Sequence, residues 1–512
     1  MKTIKDTVLT RWLVLVLVSG LTFATYWAQD FMGGIKDLLT SQFGFTDENF
    51  GRIIGMTTLA NMFGMIIVGG IILDKWGIRL AGLLFGGLAA IGALIVWLAS
   101  INVFGDDVTT KLWMMCVGRM MFGSGLEVVC VVATRTTVKW FKGYELALAM
   151  AINVGFGRLG SAMGIAVSPD IAVGAGSTVS TSIGFAASLL FLAMLMFVVY
   201  LFFDIKLDKQ QKVVKTKETS DDEEFKISDL LKLVKDSSFI YITLLCVAFY
   251  AAVFPFIQYA PDLLVNKFGF TSVLPESAAI IVGGSATLGN ALVYIVLFVL
   301  AICFSVVPSN LKSKTVRLVF RCVIVVALVG FVWYLRDIFE QWLHNGSKTA
   351  SLIPLGTIIF TPVFGNIVDK KGKAASLMIL GSLLLIFAHV SLSLFNSVVL
   401  GYVGLLSLGI AFSLVPSAMW PSVAKIIPES RLGTAYATMF TVQNWGLGLF
   451  YWGLGTLLEY VNRDNTGGVK DYTVPVLVLV VCGMISIFLA YKLKQADRKA
   501  GYGLELPNIK ES

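Results

Sequence analysis

Two residues of opposite charge stand inside long apolar stretches of this sequence. Glu127 lies in MFGSGLEVVCVV, and Arg158 follows in GFGRLGS. Each charge costs about 2.5–3.5 kcal/mol or more at the centre of a bilayer unless it faces protein or water. Together they could bind the two ends of a doubly charged ligand, or they could form a structural salt bridge. Glu127 could also carry a proton, since burial makes a carboxylate easier to protonate.

The composition predicts a membrane protein. Of 512 residues, 57% are hydrophobic and 14% charged, and the mean hydropathy is +0.82. Soluble domains carry about 25% charged residues, and apolar runs of about 18 residues or more are typical of membrane-spanning helices. We therefore predict an all-α integral membrane protein with about 14 transmembrane helices. The predicted spans are 11–34, 50–73, 79–100, 111–138, 145–168, 181–203, 238–262, 279–308, 317–338, 349–368, 374–395, 398–422, 434–458 and 473–492.

The positions of the basic residues predict the topology. Most of the 40 Lys and Arg fall on one side when both termini are placed in the cytoplasm, as the positive-inside rule requires. The net charge of +8 is then explained by topology and by contact with anionic lipid, and we expect no nucleic-acid partner. The N-terminus has a short basic start but no convincing cleavage site, so we interpret it as an uncleaved first helix.

The chain lacks the residue patterns of metal and cofactor sites. Its six Cys show no C-x-x-C spacing, and its two His, His344 and His389, are far apart in the sequence. No nucleophile–base pair or nucleotide-binding pattern is present either. We expect no metal, no cofactor and no enzyme activity.

A short motif occurs twice, in loops that the topology places in the cytoplasm. The first copy is GIILDKWGIRLAG and the second is GNIVDKKGKAAS, and both fit G-x-x-x-D-x-x-G followed by a base. Glycine permits a tight turn with positive φ, and an aspartate at a helix end can accept backbone N–H groups or pair with a base. Two copies indicate an internal duplication. The residues concerned are Gly70, Asp74, Gly77 and Arg79, and Gly365, Asp369, Gly372 and Lys373.

These loops resemble motif A of the major facilitator superfamily. The resemblance implies a 12-helix core in two six-helix halves and makes Asp74 and Arg79 gating residues. Lys373 comes one position earlier than the base of the first copy, which argues against an identical gating pair there. Arg119 matches the arginine of motif B and is expected to organise the contact between the first and fourth helices. Arg135, near a helix end, we interpret as a residue that extends to the membrane surface.

The distance between the copies exceeds that of a plain six-plus-six arrangement, so we predict two inserted helices. The expected regions are an N-terminal half at 1–203, a cytoplasmic linker at 204–237, core helix 7 at 238–278, an inserted hairpin at 279–348 and core helices 8–12 with the tail at 349–512. Apolar residues at helical spacing within 226–235 suggest a short helix on the membrane surface, although a solvated linker is the simpler interpretation.

Further segments resemble the lysosomal dipeptide transporter branch of that superfamily, whose members are uniporters. These segments are GRMMFGSGLE, GRLGSAMG, FYAAVFPFIQYAPDLLVNKFGF, AMWPSVAKIIPESRLGTAYATM and QNWGLG. The resemblance implies that Glu127 holds the amino end of a dipeptide and Arg158 its carboxyl end. Both lie near the middle of their predicted helices, at the depth where such transporters bind substrate. Further candidate ligand-binding residues are Gln29, Asp30, Tyr250, Trp420, Gln443 and Asn444.

The residues alone leave other functions open. An organic-anion or other small-metabolite carrier, with or without proton coupling, could use Arg158 without Glu127. A receptor or assembly partner could use the inserted hairpin as its docking surface. The extra hairpin and the short N-terminus suggest a prokaryotic relative in a bacterial inner membrane, so we expect a monomer without the accessory glycoprotein of the lysosomal protein.

Overall fold

Helices make up nearly all of the protein, which we describe from a computed structural model. The structure describes residues 3–174, 176–212, 233, 235–311, 313–428, 431–465 and 468–508, and no β-strand occurs within these ranges. The predicted all-α architecture is confirmed. The α-helices are α1 Val8–Gly34, α2 Lys36–Phe43, α3 Asp47–Met62, α4 Met65–Ser100, α5 Val108–Phe141, α6 Leu146–Val173, α7 Val179–Lys212, α8 Ser237–Phe268, α9 Ala286–Ser305, α10 Lys314–Tyr334, α11 Arg336–Leu343, α12 Gly346–Ala350, α13 Leu352–Lys371, α14 Ala374–Leu394, α15 Val398–Ile426, α16 Leu432–Asn462 and α17 Thr473–Ala500.

Local capping explains where many of these helices begin and end. The side chain of Asp107 accepts a hydrogen bond from the Thr110 amide at 2.8 Å, and that of Thr46 accepts one from the Asn49 amide at 3.2 Å. Such bonds satisfy amide groups that have no partner within the first turn of a helix. Gly269 ends α8 with φ of 71°, a conformation that glycine adopts without strain.

Twelve helices in the described ranges are long and apolar enough to cross a membrane by length and composition. The predicted second span, 50–73, is interrupted at Gly64, whose φ is 86°, so it is divided between α3 and α4. α4 then continues past Gly77, which has φ 78° and ψ 174° and forms the turn between the second and third predicted spans. The number of about 14 spans therefore stays a prediction.

The helices before and after the linker pack against each other at several places. α1 lies against α8, α3 against α16, and α6 against α13. Both ends of the described chain are on one face, which we call the terminal face. There the amide of Ile4 donates to Gln210, and Gly372 packs against Leu506. The opposite face, with Lys36 and Asp47, we call the distal face.

The predicted inserted hairpin corresponds to α9 and α10. α9 packs against α6 and α13, whereas α10 packs on α9 and has no buried residue. The predicted start of this hairpin helix at 279 is wrong, because Gly283 and Gly284 have φ of 58° and 79° and form a turn before Ala286. The hairpin thus lies beside the contact between α6 and α13.

The predicted linker is helical at its beginning. α7 continues to Lys212, and Asp204 within this extension binds basic residues of neighbouring helices. Residues 213–232 and 234 are outside the described ranges, and the predicted surface helix at 226–235 falls largely among them.

Candidate functional site

Glu127 and Arg158 lie on neighbouring helices without pairing to each other. Glu127 projects from α5 and Arg158 from α6, and both side chains are half-buried. The structure shows no ion pair between these two described residues. Instead, Asn444 of α16 approaches the Glu127 carboxylate, and the Arg158 guanidinium lies 4.5 Å from the centre of the Phe412 ring. The alternative of a structural Glu–Arg salt bridge is thus not seen.

Both charges nevertheless act on the same aromatic hydroxyls. Tyr26 of α1 and Tyr250 of α8 each lie within electrostatic range of Glu127 and of Arg158. Tyr26 can lie this close to α6 because it packs against Gly157, where a Cβ would be 2.9 Å from the Tyr26 ring. The acid and the base therefore lie near the same two tyrosines, one before and one after the linker.

Aromatic side chains from α8 and α15 form a connected aromatic wall that reaches Arg158. The indole Nε1 of Trp420 donates to the Tyr250 hydroxyl at 3.1 Å. The Tyr250 ring stacks on Phe254 with centroids 5.2 Å apart, and Phe254 meets Phe412 edge-on at 5.3 Å. Phe412 then contacts Arg158, so the wall and the base form one continuous surface. Trp420 and Tyr250 were predicted from the sequence, whereas Phe254 and Phe412 were missed.

Asp30 belongs to a buried network nearer the distal face. Its carboxylate accepts hydrogen bonds from Ser161 of α6 and, at 2.8 Å, from Gln258 of α8. It is 4% exposed, which places it inside the contact between the halves. The backbone carbonyl of Gln29 accepts a bond from Gln258 as well, at 3.3 Å. Asp30 therefore connects three helices rather than standing open to a ligand.

Two further predicted residues have different surroundings. Gln443 is buried, and its side-chain oxygen accepts a hydrogen bond from the Cys246 thiol at 3.3 Å, between α8 and α16. Arg119 is 2% exposed, and its guanidinium donates to the backbone carbonyls of Ala28 at 2.6 Å and Gln29 at 3.1 Å. It therefore binds α5 to α1 in the manner that its motif suggested.

A cavity of about 480 Å³ lies between the halves on the terminal side of this site. Its walls come from α4, α5 and α16, and its polar groups include Asp74 and Arg135. Phe440 lines the cavity and stacks on Trp420 with centroids 4.9 Å apart. The cavity itself does not contain Glu127 or Arg158, but Phe440 connects it to the aromatic wall that contacts Arg158.

The first copy of the repeated loop carries two ion-pair systems. Asp74 pairs with Arg135 of α5 at 2.5 Å, so Arg135 is an ion-pair partner and does not simply extend to the surface. Arg79 binds Asp204 of α7 at 2.6 Å, and Lys139 of α5 binds the same carboxylate at 2.7 Å. The loop thereby connects α4 to both α5 and α7.

The second copy is held by the C-terminal tail. Gly372 has φ of 68°, and a Cβ there would be 2.4 Å from the backbone of Leu506. The side chain of Asp369 accepts a hydrogen bond from Asn508 at 2.8 Å, and the amide of Lys373 donates to the Glu505 carbonyl at 3.1 Å. The two copies therefore share a glycine with positive φ but differ in the rest of the turn and in their partners.

The sequence of the chain matches a family model described as Major Facilitator Superfamily over residues 13–344. The chain belongs to the major facilitator superfamily. A second model, described as MFS_1 like family, matches residues 347–510 of this facilitator. The predicted superfamily is thereby confirmed, and so is the prediction that the protein is a carrier and not an enzyme.

Curated relatives of this facilitator are lysosomal dipeptide transporters. It is 26% identical to the lysosomal dipeptide transporter MFSD1 of Danio rerio over 88% of this chain and 81% of that protein. It is 24% identical to the Homo sapiens protein of the same name, over 95% and 87%. Membership of a transporter family is therefore established.

Solved structures with the same fold include the D-xylose–proton symporter, with a TM-score of 0.61 at 12% identity over 95% of this chain and 97% of that one. The nucleoside transporter NupG superposes with a TM-score of 0.58 at 14% identity, covering 95% and 99%. These likenesses support the major facilitator fold.

A buried ion cluster joins the halves at the distal face, and sequence reasoning missed it. The Lys36 amine binds the carboxylates of Asp47 and Asp262, and Lys470 binds Asp47 at 2.8 Å. Lys36 and Asp47 belong to the first half of the facilitator, and Asp262 and Lys470 to the second. In the sequence, charged residues at helix ends indicate topology only. Ion pairs between residues so distant in the chain leave no local signal that predicts them.

The pKa values of this cluster show how strongly its members interact. Burial lowers the pKa of Lys36, but the charges of Asp262 and Asp47 outweigh this and hold it above its ordinary value. Asp37, the neighbour of Lys36, has its pKa raised to about 8 by burial and then by the negative charge of Asp262. The distal face thus holds a carboxyl group that is protonated at neutral pH.

A second distal contact joins α6 to α9 and α12. Lys348 of α12 is 2% exposed and pairs with Asp170 of α6 at 2.5 Å. Asn290 of α9 donates to the same carboxylate at 2.9 Å. Helix α9 thus supports the ion pair that joins α6 to α12.

Proposed function

We propose that this facilitator transports dipeptides by alternating access of its two halves. Glu127 is assigned to the peptide's amino end and Arg158 to its carboxyl end. Tyr250 and Trp420 supply polar and aromatic contacts, and Asn444 orients Glu127. The names of the curated relatives support the substrate class.

The observation that carries this proposal is an acid and a base that do not pair with each other and that lie near the same two tyrosines. Two charges in the middle of a membrane are costly unless they serve a ligand or a partner. A dipeptide presents an ammonium and a carboxylate about 7 Å apart when extended. Glu127 and Arg158 do not neutralise each other, yet both act on Tyr26 and Tyr250. A zwitterion placed between them would satisfy both charges.

The distal ion cluster and the terminal-side cavity support a direction of access. Contacts of Lys36 and Lys348 hold the halves together at the distal face. The cavity beside Phe440 lies on the opposite side of the site. We assign this arrangement to the state in which the site communicates with the terminal face. Asp74 and Arg79, with their mirror positions Asp369 and Lys373, are assigned to gating.

We further propose that the terminal face is cytoplasmic, as the distribution of basic residues indicates. The protein would then be a monomer in a bacterial inner membrane, acting without an accessory glycoprotein. Regions 1–203 and 349–512 with 238–278 would form the two halves, and 279–348 an accessory hairpin. Labelling of single cysteines from either side of intact cells tests this orientation.

The deciding experiment is thermal stabilisation of the purified protein by a panel of ligands. The panel contains free amino acids, dipeptides, tripeptides, organic anions and dipeptides blocked at either end. A ligand that binds only the folded protein raises its melting temperature. We expect free dipeptides to stabilise the protein and either blocking group to abolish the effect.

Glu127→Gln provides the matched test of the assignment. We expect this variant to lose the stabilisation by free dipeptides, because the amide cannot pair with the ammonium. Stabilisation by organic anions that persists in Glu127→Gln, with no response to any peptide, would instead identify a carrier that uses Arg158 alone. Uptake of labelled dipeptide into proteoliposomes then checks transport itself.

A further inference from the structure

A groove of about 750 Å³ runs along the outside of the contact between α3 and α16. Met56, Leu59 and Leu449 line its apolar length, and Leu449 is 68% exposed. Its distal end is closed by Glu48 and Arg52, and its other end reaches Met62 near the middle of the molecule. The groove therefore combines a long apolar trough with one charged end.

The charged end of the groove is an ordered network of charged and aromatic side chains. Arg52 pairs with Glu48 at 2.8 Å, and its guanidinium carbon lies 5.4 Å from the ring centre of Trp113 and 5.3 Å from that of Trp452. Its Nε is buried and has no hydrogen-bond partner. Glu459 of α16 accepts the Glu48 amide at 2.9 Å, so two carboxylates and one guanidinium meet here. A ligand headgroup at this place meets both signs of charge, with the negative in excess.

The length of the trough matches one leaflet of a bilayer. From Arg52 to Met62 a helix rises about 15 Å, at 1.5 Å per residue. The hydrocarbon core of a bilayer is about 30 Å thick, so one leaflet supplies about 15 Å. A helix of a partner protein or of a second copy would cross the whole membrane, whereas one acyl chain ends at this depth. Tyr460 and Trp452 stand at the charged end, where aromatic residues favour the headgroup level.

We propose that this groove binds a phospholipid that carries a primary ammonium on its headgroup. The acyl chain lies along Met56 and Leu449, the phosphate contacts Arg52, and the ammonium contacts Glu48 and Glu459. An anionic headgroup keeps the negative phosphate but lacks the ammonium that would pair with the two carboxylates, so it binds less tightly. Because α3 and α16 belong to different halves, the bound lipid stabilises the arrangement in which the distal face is closed.

Glycine at position 453 allows a steric test of the groove. Gly453 lines it, and a Cβ built there meets no atom within 4 Å. Gly453→Leu therefore fills the trough without disturbing the packing of α16. Gly330 of α10 also meets nothing within 4 Å and lies outside the groove, so Gly330→Leu is the matched control.

The experiment measures lipid binding to the delipidated full chain in detergent. Dioleoyl phosphatidylethanolamine, phosphatidylcholine and phosphatidylglycerol are added in turn, and bound lipid is counted by native mass spectrometry alongside the melting temperature. We expect phosphatidylethanolamine to be retained and to raise the melting temperature. Gly453→Leu should weaken its binding by about tenfold, and Arg52→Gln by a similar factor, since a charge-assisted hydrogen bond is lost.

The proposal is overturned by either of two results. Equal lipid retention by Gly453→Leu, Gly330→Leu and the unaltered protein would show that the groove is not the binding site. Equal or stronger binding of phosphatidylglycerol would show that the two carboxylates do not select an ammonium. A change from dimer to monomer in Gly453→Leu would assign the groove to a second copy and also reject the lipid.

Discussion

At the scale of single residues, the site depends on charges that find no protein partner of opposite sign. Asp74, Arg79 and Lys36 all pair with oppositely charged side chains. Glu127 meets an amide and Arg158 meets an aromatic ring. A cation over a ring face gains less than a cation with a carboxylate, so Arg158 remains available to a carboxylate ligand. This difference separates binding residues from structural ones.

Arg158→Lys tests whether a guanidinium is required at this position. Lysine keeps the charge but loses the planar fork that binds both oxygens of a carboxylate. We expect the KM for dipeptide uptake to rise about 10- to 100-fold, as for the loss of a hydrogen bond to a charged group. Arg321→Lys is the control, because Arg321 of α10 also lies over a ring, that of Phe304 at 5.9 Å. A change in KM of similar size in both variants would contradict the assignment.

At the scale of helices, glycines set the distances that bring the site together. Gly160 of α6 lies against the Phe23 carbonyl of α1, and Gly123 of α5 lies against the Thr57 carbonyl of α3. Close approach of backbones is a common basis of helix packing in membranes. Glu127 is on α5 one turn beyond Gly123, so the packing at Gly123 helps to fix the position of Glu127.

Gly123→Ala is expected to destabilise the protein by roughly 1–3 kcal/mol, as for overpacking of a filled interior. The added Cβ would lie 1.8 Å from the Thr57 carbonyl, so α5 and α3 must move apart. Gly87→Ala on α4 is the control, because a Cβ there meets nothing within 4 Å. The control should be neutral or slightly stabilising, since alanine favours a helix. Thermal melts of both variants decide, and equal melting temperatures would refute this account.

At the scale of the whole molecule, the two halves are joined by charge at one face and separated by a cavity nearer the other. The cluster of Lys36, Asp47, Asp262 and Lys470 is buried or nearly so, which makes it costly to break. Opening of the distal face must separate Lys36 from Asp262 and Lys348 from Asp170. The protonation of groups in this cluster should therefore affect the balance between the two states.

The raised pKa of Asp37 predicts how the stability of the folded protein changes with pH. Its pKa is raised from 3.8 to about 8 by burial and by Asp262, so the folded protein holds a proton that the unfolded chain releases. The stability contributed by this group is fully present below the lower value and is lost as pH rises towards about 8. We expect the melting temperature to fall over this range, and to fall less steeply in Asp37→Asn.

The comparison uses thermal melts of Asp37→Asn and Asp106→Asn between pH 4 and pH 8. This range is set by the two pKa values of Asp37. Asp106 is an exposed aspartate in the loop before α5 and serves as the control. Identical pH profiles for Asp37→Asn and the unaltered protein would show that Asp37 does not titrate in this range.

The sequence by itself determined that the protein lies in a membrane, that it is helical and that it belongs to the major facilitator superfamily. Apolar runs, basic residues and the two loop motifs are local signals, and each can be recognised without knowing which residues lie nearby in the folded protein. Local signals also identified the candidates Glu127, Arg158, Tyr250 and Trp420, because a charge inside an apolar stretch or a distinctive motif can be recognised in the sequence. It also misplaced the start of α9, since Gly283 and Gly284 form a turn inside an apolar stretch.

Only the tertiary structure decided which charges pair and which stay free. Lys36 meets Asp262, and Arg79 meets Asp204, across separations at which no periodicity or spacing in the chain connects the partners. Gln443 could not be distinguished from a ligand-binding residue by type, yet packing directs it to Cys246. Phe412 was missed because a phenylalanine in an apolar helix is ordinary until the fold places it over Arg158. Pairing depends on distances between helices, which helix packing sets and the order of residues does not reveal.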